Sequence, residues 1–354
     1  MSKEFVISGI QQIGIGCRDV LGTWEWYRKN LGYDLKIFEE AADAEFMLPY
    51  TQGEVRSRHA VLVYNIQGGG GLEIWQYTSR TPVGPDFTPG LGDLGVFGMK
   101  LRAYDIPAVH ADFKQKGFDL LTEVNTDPSG RMHFFMNDPW GNLLQILEDD
   151  YQFKNAKLPT GGNMGCLIGT PDIDASMRLY RDVLGYDEVV YDKTGNFIDF
   201  NGIEGGGKSC RRVRLRHSKL REGYLSGIFG PSEMEFIQLE DGIGKKIFEG
   251  RDWGDLGYIH LCFDIRGMQE LKKACSDAGF PFTVESNPDF DMGEAAGQFA
   301  YIEAPEGTLI EFVETHKVPM IKSIGWYLNL YKRDARKPMP GWFYRVLNMM
   351  RKKA

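Results

Sequence analysis

Short apolar runs recur along this chain, and several carry one polar residue where a buried strand would be wholly apolar. Tyr258-Ile259-His260-Leu261-Cys262-Phe263-Asp264-Ile265 is rich in β-branched and aromatic residues and reads as a strand with a histidine near its start. Met234-Glu235-Phe236-Ile237-Gln238-Leu239 and Gly307-Thr308-Leu309-Ile310-Glu311-Phe312-Val313-Glu314 read the same way, each with a carboxylate inside. A charge in a buried strand is costly unless it is paired or bound to a metal. Glu235, His260 and Glu311 are therefore expected to converge on one site.

These runs belong to a repeated unit. A strand runs to about Cys17, and Trp24, Tyr27 and Leu31 then share one helical face at i, i+3 and i+7 before Gly32 ends the helix. Strand-like runs follow at Leu35–Phe38, Ser57–Tyr64 and Gly71–Tyr77, so the unit is β-α-β-β-β. A second copy has a strand at Phe97–Ile106, a helix at Ala108–Lys116 and strands at Met132–Met136 and Pro139–Ile146. A third begins at Met164; Leu179–Tyr186 matches Trp26–Tyr33, and Val213–His217 matches Val55–His59. The fourth runs from Tyr258 to about Thr315. Chance rarely yields four copies of one unit. Residues 151–163 are polar, contain Pro159, Gly161 and Gly162, and read as a linker. The expected division is an N-terminal domain at 1–150 holding modules 1 and 2, a C-terminal domain at 164–317 holding modules 3 and 4, and a tail at 318–354.

The unit resembles the vicinal-oxygen-chelate superfamily, which includes glyoxalase I, bleomycin-resistance proteins and extradiol ring-cleaving dioxygenases. The resemblance covers residues 9–315. It rests on the aspartate turn after the first strand, as in Pro171-Asp172-Ile173, on the helix end Tyr180-Arg181-Asp182-Val183-Leu184-Gly185-Tyr186, and on Asp138-Pro139-Trp140-Gly141-Asn142 before a last strand. It implies an α+β fold in which four modules pair into two incurved-sheet half-barrels, with a basic helical extension after them. The family's ligands lie on the first and last strands of each module. Carried over residue by residue, the N-terminal pair offers Gln12, Glu73, Gly98 and Gln145, and the C-terminal pair offers Gly165, Glu235, His260 and Glu311. The resemblance thus implies a C-terminal site in which Glu235, His260 and Glu311 hold a divalent ion and Glu235 or Glu311 moves a proton. The N-terminal half, with Glu73 alone as a good ligand, is expected to hold no metal. Two carboxylates and an imidazole suit Fe2+, Mn2+, Co2+, Ni2+ or Zn2+.

Other residues carry chemistry less distinctly. Arg214 and Arg216 share one face of a strand, as do their repeat partners Arg56 and Arg58. They suit either a clamp on a substrate anion or a solvated face. Tyr301 precedes Glu311 by ten residues, a placing that resembles that of a tyrosine in the extradiol enzymes. Gly202-Ile203-Glu204-Gly205-Gly206-Gly207-Lys208-Ser209 matches a phosphate-loop pattern, but Cys210–Arg216 then alternates like a strand where the motif needs a helix. The match reads as a hairpin loop.

Composition narrows the remaining choices. A net charge of −8 argues against general nucleic-acid binding. No apolar run approaches the ~18–20 residues that span a bilayer. Five scattered cysteines without a CxxC pair, and no secretory leader, fit a reduced cytoplasmic protein. Residues 316–354 hold ten Lys or Arg against one acid, Asp334, with an apolar side that includes Trp342, Phe343 and Leu347. That helix suits peripheral contact with an anionic membrane or packing on its own acidic body. The expectation is a metal-dependent enzyme acting on a small molecule with adjacent oxygens, by lyase or isomerase chemistry. The alternatives are an extradiol-type dioxygenase, disfavoured by the missing second histidine, and a non-catalytic binding protein. A homo-oligomer stays open.

Overall fold

The computed structural model describes residues 5–288, 290–291, 296–321, 326–330 and 333–353. Module 1 comprises β1 (Val6–Gly16), α1 (Val20–Leu31), β2 (Leu35–Asp43), β3 (Ser57–Tyr64) and β4 (Gly71–Tyr77). Module 2 comprises β5 (Gly95–Ala103), α2 (Ile106–Gln115), the short β6 (Asp119–Leu120) and β7 (Asn125–Thr126), β8 (Met132–Asn137) and β9 (Leu143–Glu148). Module 3 comprises β10 (Asn163–Gly169), α3 (Ile173–Met177), β11 (Glu188–Gly195), β12 (Cys210–Arg216), α4 (Ser226–Phe229) and β13 (Glu233–Leu239). Module 4 comprises β14 (Gly257–Arg266), α5 (Met268–Asp277), β15 (Val284–Glu285), β16 (Phe290–Asp291), β17 (Ala296–Glu303) and β18 (Leu309–Ile321). Beyond the repeats lie β19 (Trp326–Asn329) and α6 (Gly341–Met349).

Local chemistry explains the repeated start of each helix. Asp19, Asp105 and Asp172 each accept a hydrogen bond from a backbone N–H of the first turn, at 3.0 Å in all three. Such caps satisfy donors that the helix cannot, for about 1 kcal/mol each. Module 4 has no such aspartate, and α5 begins instead at Gly267 with φ +92°. Trp24, Tyr27 and Leu31 are buried on one face of α1, as their spacing predicts.

The fold is α+β, with two mixed sheets. The first has the order β15-β17-β18-β14-β1-β4-β3-β2 and curls into a half-barrel around a cavity. The second has the order β11-β12-β13-β10-β5-β9-β8-β6. Module 1 therefore pairs with module 4, through antiparallel β1 and β14, and module 2 with module 3. This corrects the expected division into 1–150 and 164–317, because modules adjacent in sequence do not share a sheet. The reason is that every module presents an apolar first strand with a free edge, and nothing in its pattern names the partner. The connections decide. Residues 78–94 cross to the second sheet, where Leu91 donates its N–H to the Glu204 carbonyl and Leu94 to that of Lys245. Both sheets share one apolar core, with Ile13, Ile74 and Phe312 from the first and Leu101, Ile146 and Phe236 from the second.

The tail packs on its own chain. Phe343, Leu347, Met339 and Leu330 are buried in a cluster with Leu35, Leu62 and Tyr64. Arg351 pairs with buried Asp34 at 2.7 Å, and the Arg28 guanidinium donates to the carbonyls of Lys352 and Lys353 at 2.8 Å. The tail thus shows the packing on its own chain that was one of the two expectations. Among the described residues no helix is long and apolar enough to cross a membrane.

Candidate metal centre

Four neighbouring strands of the first sheet, β18, β14, β1 and β4, each place one donor toward the same point. Glu73, His260 and Glu311 have donor atoms within 4.8 Å of one another. His260 Nε2 lies 3.2 Å from Glu311 Oε2 and 3.4 Å from Glu73 Oε2. The Gln12 amide donates to Glu311 Oε2 at 3.2 Å, while its own Oε1 is buried without a partner. Both ring nitrogens of His260 are also buried without a hydrogen bond of ordinary geometry.

Room for the imidazole comes from Gly14. It stands opposite His260 across the β1–β14 pair and beside Glu73 in the β1–β4 pair. A Cβ there would fall 2.5 Å from the imidazole Cε1. Trp253 stacks on the other side of the ring, 6.1 Å away at 13°, and Tyr301 stands edge-on at 5.8 Å. These contacts fix the ring plane.

Burial controls the protonation of the cluster. It pushes the His260 pKa down to about 3, so the imidazole is neutral and its short approaches to carboxylates are not ion pairs. Burial raises Glu73 to about 7, with Arg58 opposing the shift. Glu311 is raised to about 8, by burial and by the charge of Glu73, with Tyr301, Cys262 and Gln12 opposing through hydrogen bonds. A neutral imidazole, two carboxyls that resist ionising together and an orphaned amide oxygen form a set that a divalent cation satisfies. The residues therefore fit a metal of the kind the sequence implied.

The site overlaps the sequence-based one and differs in one ligand. His260 and Glu311 come together, and Tyr301 lines the same cavity. Glu235 does not join them. It lies on β13 in the second sheet, where Lys100 Nζ binds it at 2.5 Å, Tyr191 donates to it at 2.9 Å and the Arg212 guanidinium pairs with it. These cations hold its carboxyl well below the usual range despite full burial. Its assigned roles as ligand and proton carrier are thus corrected: an internal ion network already satisfies its charge. Arg214 and Arg216 are corrected as substrate residues too. Arg214 is buried against Asp127 and Ser129, and Arg216 pairs with Glu188 at the surface. Their repeat partner Arg58 does line the cavity, paired with Glu40 at 2.7 Å. Glu73, set aside as the lone ligand of its half, takes the place given to Glu235.

The equivalent positions of the second sheet are Gly98, Gln145, Gly165 and Glu235. There Gln145 bonds His133 at 3.1 Å, and His133 and Arg212 both reach Asp199, at 3.1 and 2.6 Å. Residues 202–209 lead into β12 and not into a helix, so the phosphate-loop match is a hairpin loop.

Comparison with known proteins agrees with this architecture. Residues 9–146 match the Glyoxalase/Bleomycin resistance protein/Dioxygenase superfamily. A glyoxalase I variant from Zea mays shares the fold at TM-score 0.55 and 13% identity, over 88% of this chain and 94% of its own. A putative dioxygenase from Bacillus subtilis does so at TM-score 0.57 and 14% identity, over 87% and 86%. Among curated protein sequences none matches significantly. Residues 9–146 thus carry the sequence pattern of that superfamily, and the four-module chain shares the fold of these two structures.

Proposed function

We propose that the protein is a metal-dependent lyase or isomerase acting where modules 1 and 4 meet, on a small molecule with two adjacent oxygens. One observation carries this reading: four adjacent strands bring Gln12, Glu73, His260 and Glu311 together, and Gln12, Glu73 and Glu311 line a cavity. These four residues would hold the ion, which supplies Lewis acidity to neighbouring oxygens. Glu311 and Glu73 supply the proton chemistry. A carboxylate beside the reacting carbon would accept its proton and return it to the neighbouring atom. Tyr301 and Trp253 pack the imidazole and keep water from it. Ring-cleaving oxygenation is the weaker reading, because the donor set has one histidine where the two-histidine, one-carboxylate triad needs two.

The test is solvent deuterium incorporation into α-hydroxy ketones or 2-oxoaldehyde adducts by protein loaded with Mn2+, Co2+, Ni2+, Zn2+ or Fe2+. Exchange at the carbon next to the carbonyl, lost in Glu311→Gln, is the expected result. Oxygen uptake with a catechol, without exchange, would place the chain with the dioxygenases instead.

A further inference from the structure

The cavity beside the four donors has a volume of about 440 Å3, in the range of sites that enclose drug-sized ligands. Glu73 and Glu311 line it, and beside them Ile37, Leu62, Phe343 and Leu347 form an apolar wall, with Leu62 opposite Glu73 in the β3–β4 pair. Half of that wall comes from α6, a helix outside the four modules. The helix is fixed there at both ends. Met339 donates its N–H to the Tyr224 carbonyl at 2.9 Å before it, and Arg351 grips Asp34 after it. The chain thus adds a dedicated apolar surface to the site.

Charge is just as selective. Glu40, Asp43, Glu45, Glu73, Asp264 and Glu311 line the cavity. Among the described lining residues Arg58 is the one permanent cation, and Glu40 engages it through both its carboxylate, at 2.7 Å, and its carbonyl, at 3.0 Å. With Glu73 and Glu311 spent on the ion and Glu40 on Arg58, the acids Asp43, Glu45 and Asp264 remain, and a substrate bearing several carboxylates would meet their repulsion with no free guanidinium to offset it.

We infer that the substrate is an uncharged amphiphile: two adjacent oxygens sit at the four donors, and an apolar alkyl or aryl body fills the space under α6. This rests on the metal-site reading above and extends it to the substrate's class. Each methylene buried from water strengthens binding about fourfold. Several of them outweigh the freedom that a flexible chain loses on binding.

Calorimetry on the Zn2+-loaded full chain, with hydroxamates as two-oxygen probes, tests this. Octanohydroxamate is expected to bind at least about 100-fold more tightly than acetohydroxamate. Leu347→Ala, which keeps the wall apolar, should weaken octanohydroxamate by at least about threefold more than it weakens acetohydroxamate. Succinohydroxamate, with its extra carboxylate, should bind no better than acetohydroxamate. Equal affinities for the octano and aceto probes would overturn the inference while leaving the metal site standing. Tighter binding of succinohydroxamate would overturn its charge requirement. Octanamide, which keeps the tail without the chelating pair, separates the two claims. If it bound as tightly as octanohydroxamate, in wild type and His260→Ala alike, the apolar cavity would stand and the metal-site reading would fall.

Discussion

Gly14 faces His260 across an antiparallel strand pair, and the space a methyl group would occupy is filled by the imidazole. The contact is too close for compromise: even a Cβ would lie 2.5 Å from one ring atom and 2.6 Å from Nδ1. Gly14→Ala should therefore turn the ring away from Glu73 and Glu311 without unfolding the sheet. Displaced orientation of a ligand typically costs about 10- to 100-fold in metal affinity. Titration of the apo-protein with Zn2+ reads this, and an unchanged affinity would show that the ring position does not matter.

The cluster's protonation sets a pH dependence with a definite sign. Glu73 and Glu311 have raised pKa values in the folded state, so ionising them weakens the fold as pH rises from the ordinary carboxyl range to about 8. His260 is depressed to about 3, so its contribution runs the other way and is complete above its ordinary value of 6.5. Between pH 6.5 and 8 only the carboxyls of this cluster titrate. The apo-protein's Tm should fall across that window, and less so in Glu311→Gln. Metal affinity should rise across it, because the ion displaces carboxyl protons. Equal pH slopes for wild type and Glu311→Gln would refute this assignment.

Glu235 belongs to an internal ion network, and its loss should register as stability. Glu235→Ala leaves Lys100 and Arg212 buried with reduced compensation. Breaking a buried pair in this way costs about 3–5 kcal/mol. A loss of that size in the unfolding free energy from urea denaturation is expected; an unchanged value would mean that the network carries no stability.

The hold of α6 on the body is also open to trial. Arg351→Ala removes the partner of buried Asp34 and frees the far end of the helix. Amide exchange over residues 341–349 should speed up at least about tenfold, with the strands of the first sheet unaffected. Unaltered exchange would show that apolar packing alone secures the helix.

Much of this was legible in the sequence. The repeated unit was, because alternation of period 2 and the Trp24–Tyr27–Leu31 face of period 3.6 survive in each copy, and because Asp19, Asp105 and Asp172 mark helix starts. The donor positions were legible as well: Gln12, Glu73, His260 and Glu311 all stand where the resemblance places ligands. Which modules pair was not. The first strands β1, β5, β10 and β14 carry apolar edges of one kind, and register is encoded by faces, not by partners. A clue did exist. Pairing module 1 with module 4 gives four polar donors, whereas pairing neighbours leaves a glycine in each site. The ion network around Glu235 was hidden because Lys100, Arg212 and Asp199 lie outside the ligand positions. Lys100 and Arg212 become its partners only once β5 and β12 stand on either side of the β10–β13 pair, in which β13 carries Glu235.

The most direct measurement is metal content by elemental analysis of the purified full chain, wild type beside Glu73→Ala and Glu235→Gln. Near one ion per chain in wild type, lost in Glu73→Ala and kept in Glu235→Gln, is the predicted outcome. Retention in Glu73→Ala with loss in Glu235→Gln would contradict a site built from modules 1 and 4. No ion in wild type, even after reconstitution, would contradict a metal centre altogether.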